Sequence, residues 1–359
     1  MQNSSAKKHF FLPISKKYKL LYIHIPFCDS KCHYCAFNSY TNLNHLKKKY
    51  FEAIKKQFLN EAGDFDTVFI GGGTPSTMPL EFYERLFELL NPFIKNAKEI
   101  TIEANPNVKY EWLKGIRNLG FDRISFGVQS FNEDKLKFLN RNHSPAQAIQ
   151  AVESAKKAGF ENINLDLIYS TALDEKKLLQ NDLNIAFSLP INHISAYSLT
   201  IEEGTVFDGD FSKRKEDEEL EVWFIQKIKE KFPQYEISNF GTPCLHNLGY
   251  WTGCEYAGIG AGAVGFKNKT RYYTQNDVYK YIQNPTNYSI EKLSEEDLKK
   301  EKVFLGLRSI IGFEEDILNE AEKERAWILI NEGKLYKKDS KIYAYDFLLA
   351  DAMSAYILD

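Results

Sequence analysis

The chain has 359 residues, 43% of them hydrophobic and 26% charged, with a formal net charge of −3. That length allows one large domain of barrel size with a smaller one beside it, and the near balance of charge excludes bulk electrostatic attraction to nucleic acid or to an anionic membrane surface. The longest apolar runs, such as LLYIHIPF, are too short to span a bilayer.

In chain order, MQNSSAKKHFFLPISKKYK carries two lysine pairs but no apolar core and no small-residue cleavage site, so it predicts an N-terminal extension (1–18) and no secretory signal. Strands are expected at 18–25 (YKLLYIHI), 67–72 (TVFIGG), 99–105 (EITIEAN), 123–128 (RISFGV), 163–169 (INLDLIY) and 193–199 (HISAYSL), short runs rich in Val, Ile, Tyr and Phe. Amphipathic stretches at 43–60, 80–95, 110–118, 145–158 and 175–187 predict helices between them. Six such units imply a parallel sheet with right-handed crossovers. Eight would close a full barrel, so the α/β expectation is an open six-unit (β/α) barrel over 19–205, with its chemistry at the carboxyl ends of the strands. After Gly204 the periodicity is mixed, and 206–288 is expected to complete the barrel. A helix is expected at 293–310, and LINEGKLYKKDSKIYAYDFLLADAMSAYIL predicts helix, two short strands around Asp339-Ser340, then helix. That order suggests a C-terminal helical, winged-helix-like module over 289–359. Its interspersed Lys and Glu predict a packing role without nucleic acid.

Three of the five cysteines, Cys28, Cys32 and Cys35, stand as C-x3-C-x2-C directly after the first strand. A closed zinc site needs a fourth ligand, for which His24 or His33 is close in sequence, whereas an open metal or cluster site needs only three. An odd, clustered cysteine count argues against a disulfide framework and for a reducing, cytoplasmic setting; Cys244 and Cys254 are expected to be ordinary buried thiols. GGGTPS (71–76) follows the second strand, where glycines let the backbone approach a ligand. Glu103, Gln129 and Asp166 fall in or at the end of the third, fourth and fifth strands. Each alone could be a cap or an ion-pair partner; together on one rim they indicate a site.

C-x3-C-x2-C after a first strand resembles the signature of radical S-adenosylmethionine (SAM) enzymes. The segments YIHIPFC, GGGTPS, IEANP, RISFGVQSF, LNRNH and NLDLIYS resemble the oxygen-independent coproporphyrinogen oxidase branch, over nearly the whole chain from about Leu20. The resemblance implies that the three thiolates hold a [4Fe–4S] cluster by three irons, and that the amino and carboxylate groups of SAM occupy the fourth. It also implies that Tyr22 and Tyr34 line the SAM pocket, that Gly72, Gly73 and Thr74 offer backbone groups to the methionine amine, and that Glu103 accepts a hydrogen bond. Arg141 would pair the carboxylate, Gln129 and Asp166 would bind the ribose or a second SAM, and Thr200 and Val264 would complete the pocket.

Three features depart from the oxidases. Phe37 stands where they carry a further cysteine, and only about 18 residues precede the first strand. The third is LHNLGYW, which contains H-N-x-x-Y-W at His246, Asn247, Tyr250 and Trp251 and resembles the mark of the heme chaperones of that branch. Imidazole is a common axial ligand of heme iron, and Tyr and Trp offer flat faces to a macrocycle. The resemblance therefore implies a chaperone that binds the cluster, SAM and heme and passes heme to an apo-hemoprotein acceptor. An electron donor is implied if SAM is cleaved; no nucleic acid and no integral membrane segment are expected. The alternatives are the oxidase itself, which decarboxylates two propionates of coproporphyrinogen III, and a non-catalytic protein with structural zinc.

Overall fold

Each of the first six strands carries large apolar residues at every second position, and each is followed by a helix. The computed structural model describes residues 19–61 and 63–359; the N-terminal extension and Tyr18 of the first expected strand lie outside the described residues. The strands are β1 (Leu20–Ile25), β2 (Thr67–Gly72), β3 (Glu99–Ala104), β4 (Arg123–Gln129), β5 (Asn162–Tyr169) and β6 (His193–Ser198). Between them run α1 (Lys47–Phe58), α2 (Leu80–Leu90), α3 (Tyr110–Leu119), α4 (Glu133–Phe138), α5 (Pro145–Ala158) and α6 (Lys176–Ser188). The helix ends follow their local signals. α5 opens on a capping box between Ser144 and Gln147 and stops at Gly159, whose φ of 99° is left-handed.

β1 to β6 pair in parallel, each with the next. On their helix-facing side Ile23, Ile70, Ile102, Ile124, Leu165 and Ile194 are fully buried in one core with the helices. Burial of each such side chain contributes about 1.5–3 kcal/mol. The opposite face is largely polar: Tyr22 and His24 on β1, Thr101 and Glu103 on β3, Arg123 and Ser125 on β4, Asn164 and Asp166 on β5, Ser195 and Tyr197 on β6. A closed eight-stranded barrel fills its interior with branched apolar side chains. Here the interior is instead a lumen.

The segment after Gly204 extends the sheet at both edges. α7 (Glu218–Lys229) leads to β7 (Asn239–Gly241), antiparallel to β6, and α8 (Leu245–Trp251) leads to β8 (Tyr256–Ile259), which pairs in parallel with β1 on its far side. β9 (Val264–Lys267), β10 (Thr270–Tyr273) and, after α9 (Val278–Gln283), β11 (Ser289–Lys292) continue as an antiparallel meander. The eleven-stranded sheet is open, with β11 and β7 at its edges.

The remaining elements are α10 (Glu295–Leu307), β12 (Phe313–Glu314), α11 (Glu320–Asn331), β13 (Leu335–Lys338), β14 (Lys341–Ala344) and α12 (Ala350–Leu358). They share a separate apolar core that includes Val303, Leu307, Leu329, Ile342 and Met353. The hairpin about Asp339-Ser340 lies between two helices, as expected; the likeness to a winged helix rests on that order alone. This module is tied to the barrel by hydrogen bonds from Ile237 N to Arg308 O (2.8 Å) and from Ile310 N to Tyr235 O (3.0 Å). No helix among the described residues is long and apolar enough to cross a membrane.

Candidate functional site

The loop leaving β1 carries the cysteines over the carboxyl ends of the strands. It is held by Cys28 N donating to Tyr40 O (3.0 Å) and by a turn in which Cys35 N donates to Cys32 O (3.2 Å). Cys28 is buried and accepts from Thr74 Oγ1 (3.3 Å), while Arg141 Nη1 donates to Cys32 Sγ (3.1 Å). Neither histidine near the motif is turned to the thiols. His24 is pinned between Tyr22 OH (3.1 Å, through Nδ1) and Asn38 O (2.8 Å, through Nε2), and His33 Nδ1 is bonded to Phe138 O (3.0 Å) with its ring against Phe207. The closed zinc alternative thus has no imidazole to complete it. Among the described residues no three His, Cys, Asp or Glu side chains converge on one ion position, which a single zinc requires and separate irons of a cluster do not.

The three cysteines line a cavity of about 390 Å³ together with Tyr34, Gly72, Gly73, Thr74, Glu103, Gln129, Arg141, Asp166 and Thr200. Close packing explains the glycines. A Cβ on Gly73 would lie 3.0 Å from Cys28 Sγ, and one on Gly72, where φ is 113°, would lie 2.6 Å from the His24 ring. The amides of this turn are spent internally: Gly72 N donates to Glu103 Oε2 (3.2 Å), Gly73 N to Ile25 O (2.8 Å) and Thr74 N to Phe27 O (2.9 Å). An ammonium, itself a donor, would use the turn's carbonyl oxygens. Gln129 and Ser170 end their strands at left-handed φ of 69° and 63°, turning the chain at the rim. Arg141 also donates from Nη2 to Asn105 Oδ1 (2.7 Å), but its buried Nε has no partner. A buried donor left open beside three thiols and a glycine cradle fits a cofactor that bears a carboxylate.

Burial pushes the Glu103 carboxyl up to about 8, with Asp166 adding to the rise and the Gly72 amide and Arg123 opposing it. A carboxyl raised on folding is more protonated in the native than in the unfolded state, so cofactor-free protein loses stability as pH rises from about 4.5 to about 8. Glu103→Gln should remove that share of the loss. The stability gap in favour of the variant is expected to widen by on the order of 2–4 kcal/mol between pH 5 and pH 8, measured by denaturation at both values; a pH-independent gap refutes the assignment.

A second cavity, of about 720 Å³, occupies the lumen and shares Glu103, Asp166 and Tyr197 with the first. Tyr22 and Val264 line this one rather than the cysteine cavity. Its far end is α8, which lies across the amino ends of the strands. Glu99 at the start of β3 accepts from Cys244 Sγ (3.1 Å), Leu245 N (2.9 Å) and His246 N (3.1 Å), and Thr67 at the start of β2 meets His246 Nδ1 at 2.8 Å. The H-N-x-x-Y-W motif and the cysteines thus sit at opposite ends of the lumen.

His246 differs from the free axial ligand expected of it. It is buried, and its second nitrogen, Nε2, is bonded to Tyr250 OH (2.9 Å). Burial, with Arg123 nearby, pushes its pKa down to about 3, so the ring is neutral. To ligate iron it must first leave Tyr250. His246, Asn247 and Tyr250 line the lumen; Trp251 instead packs with Tyr235, Leu248 and Ile311 at the junction with the C-terminal module. Cys244 and Cys254 are buried thiols, as expected.

Sequence reasoning missed Arg123, Asn164 and Tyr197 in the lumen and Glu301 and Leu305 of α10, which face it from the open side of the sheet. For the strand residues the signal was present, as polar side chains at alternate positions of otherwise apolar runs.

The family model of the radical SAM superfamily matches residues 22–176. The heme chaperone HemW of Bacillus subtilis is 37% identical over 320 residues, covering 82% of this chain and 84% of that protein. The heme chaperone HemW of Lactococcus lactis is 36% identical over 351 residues, covering 90% and 93%. Among solved structures, the coproporphyrinogen III oxidase HemN of Escherichia coli superposes with a TM-score of 0.80 at 19% identity, over 95% of this chain and 90% of that one, a likeness of fold.

Proposed function

Since this chain belongs to the HemW family of heme chaperones, with a radical SAM domain, we propose that it binds heme in the lumen and delivers it to an apo-hemoprotein in the cytoplasm. The observation that carries this reading is that the two cavities adjoin, with Ala36, Phe37, Glu103, Asp166 and Tyr197 in the walls of both. A cofactor pocket at the rim thereby adjoins a space within the ~300–1,000 Å³ usual for ligand sites.

Cys28, Cys32 and Cys35 would hold the [4Fe–4S] cluster, which when bound supplies a single electron with which SAM can be cleaved; an external electron donor would then be needed. The protein's own part is placement. Arg141 would pair the SAM carboxylate, the Gly72 and Gly73 carbonyls would accept from its ammonium, Tyr34 would cover it, and Gln129 and Asp166 would hold the ribose hydroxyls. Asn247 and Tyr250 present a polar and an aromatic group to heme from the lumen floor. His246 orients Tyr250 through their shared hydrogen bond, and becomes an iron ligand only if that bond opens.

Phe37 is 68% exposed at the rim and offers no thiol where the oxidases have one. Cluster-loaded protein is expected to bind heme with a defined Soret shift and to leave coproporphyrinogen III intact in the presence of SAM and reductant. Formation of protoporphyrinogen would overturn the chaperone reading in favour of the oxidase.

A further inference from the structure

Arg123 opens β4 at the amino end of the barrel, only 4% exposed, with its side chain on the lumen. Among the described residues nothing accepts a hydrogen bond from its guanidinium, and no carboxylate stands at ion-pair distance from it. The nearby acids are taken by other donors. Glu99 accepts from Cys244, Leu245 and His246, and Asp166 accepts from Asn164 Nδ2 (2.7 Å) and Ser125 Oγ (3.4 Å). Its guanidinium thus faces the cavity with no protein acceptor of its own, and an anionic group entering there would meet it in a low local dielectric that strengthens the pairing. Its planar fork matches a carboxylate in two parallel hydrogen bonds.

We propose that Arg123 anchors a carboxylate of the ligand in the lumen, namely a propionate of heme, and so fixes which edge of the macrocycle enters first. This rests on the heme reading above. The methionine carboxylate of SAM has the same chemistry, but Arg141 already stands for it at the opposite end of the lumen. A propionate-first entry directs the carboxylate edge to the floor and leaves the hydrophobic edge toward the rim and toward α10.

The test titrates full-length, cluster-loaded protein with heme and with heme dimethyl ester, whose propionates are masked, following the Soret band. Wild type is expected to prefer heme by about tenfold or more. Arg123→Gln should weaken heme by that factor and leave the ester unchanged, so that the preference vanishes; Arg123→Lys should restore part of it. The ester comparison on wild type needs no variant, and cluster content and circular dichroism check that each variant is folded. The assignment is overturned if wild type binds both ligands equally, or if Arg123→Gln keeps the preference. It is also overturned if that variant weakens SAM while sparing heme, which would make the carboxylate the cofactor's. A wild type that binds neither heme nor its ester instead overturns the heme reading itself, and the inference with it.

Discussion

Single replacement of Cys28, Cys32 or Cys35 by Ala is expected to abolish the visible iron–sulfur absorbance of anaerobically reconstituted protein, whereas Cys244→Ala and Cys254→Ala should retain it. Three thiols are all that the rim supplies, and His24 and His33 are both committed elsewhere, so no spare ligand can take over. Burial pushes the Cys28 and Cys35 thiols up; a bound metal centre is what holds such groups as thiolates. Cys244 is buried at the other end of the lumen on Glu99, and Cys254 lies beside Thr252, with Oγ1 at 3.1 Å. Neither can reach the rim. Iron and labile-sulfide analysis of the five variants decides the matter. Zinc in place of iron in the wild type, or a cluster surviving loss of one rim cysteine, would remove the assignment.

The second large effect concerns stability beneath the same rim. Lys135 on α4 and Asp174 after β5 form an ion pair at 2.6 Å with both side chains fully buried. Lys135 Nζ also donates to Ile168 O (2.7 Å), and Asp174 Oδ2 accepts from Thr171 N (2.8 Å). The pair fastens α4, which leads into Asn140 and Arg141, to the turn that follows Asp166. Lys135→Met strands a buried carboxylate, and removing one partner of such a pair costs roughly 3–5 kcal/mol. Adding Asp174→Asn withdraws the orphaned charge while keeping an acceptor for Thr171 N, so the double variant should be more stable than Lys135→Met alone. Thermal and denaturant midpoints test both steps. A single variant within about 1 kcal/mol of wild type, or a double variant no better than the single, would show that the pair is not what holds the rim.

The two variants probe different levels of the same architecture. Strand–helix alternation was legible because each parallel strand must bury one face under a helix, which imprints alternating Ile and Val on a short run. β2 spans the same residues as its apolar run, and α5 is bounded by a Ser-Pro start and a glycine stop. The rim residues were legible for a related reason. In a sheet of parallel strands every carboxyl end reaches one edge, so Cys28, Gly72, Glu103, Gln129 and Asp166 had to meet. β8 to β11 were not legible. They have four residues each, too short for a period to emerge, and they exist because β1 and its neighbours leave hydrogen-bonding edges to be paired.

What the sequence by itself determined was the order of the six units, the face each strand turns to the helices and the set of groups at the carboxyl rim, all consequences of local periodicity within one topology. What only the tertiary structure decided lies on the inner face and at the amino end. His246 reads in sequence as an available imidazole, yet Thr67 and Tyr250, one of them 179 residues away, take both its nitrogens. Arg123 reads as the charged start of a strand, yet its side chain lines the lumen, where among the described residues carboxylates act on it through space but none stands at ion-pair distance. A period of two states that a side chain leaves the helix-packed face; which partners it then finds depends on strands and helices brought together from the whole chain, and that no local pattern encodes.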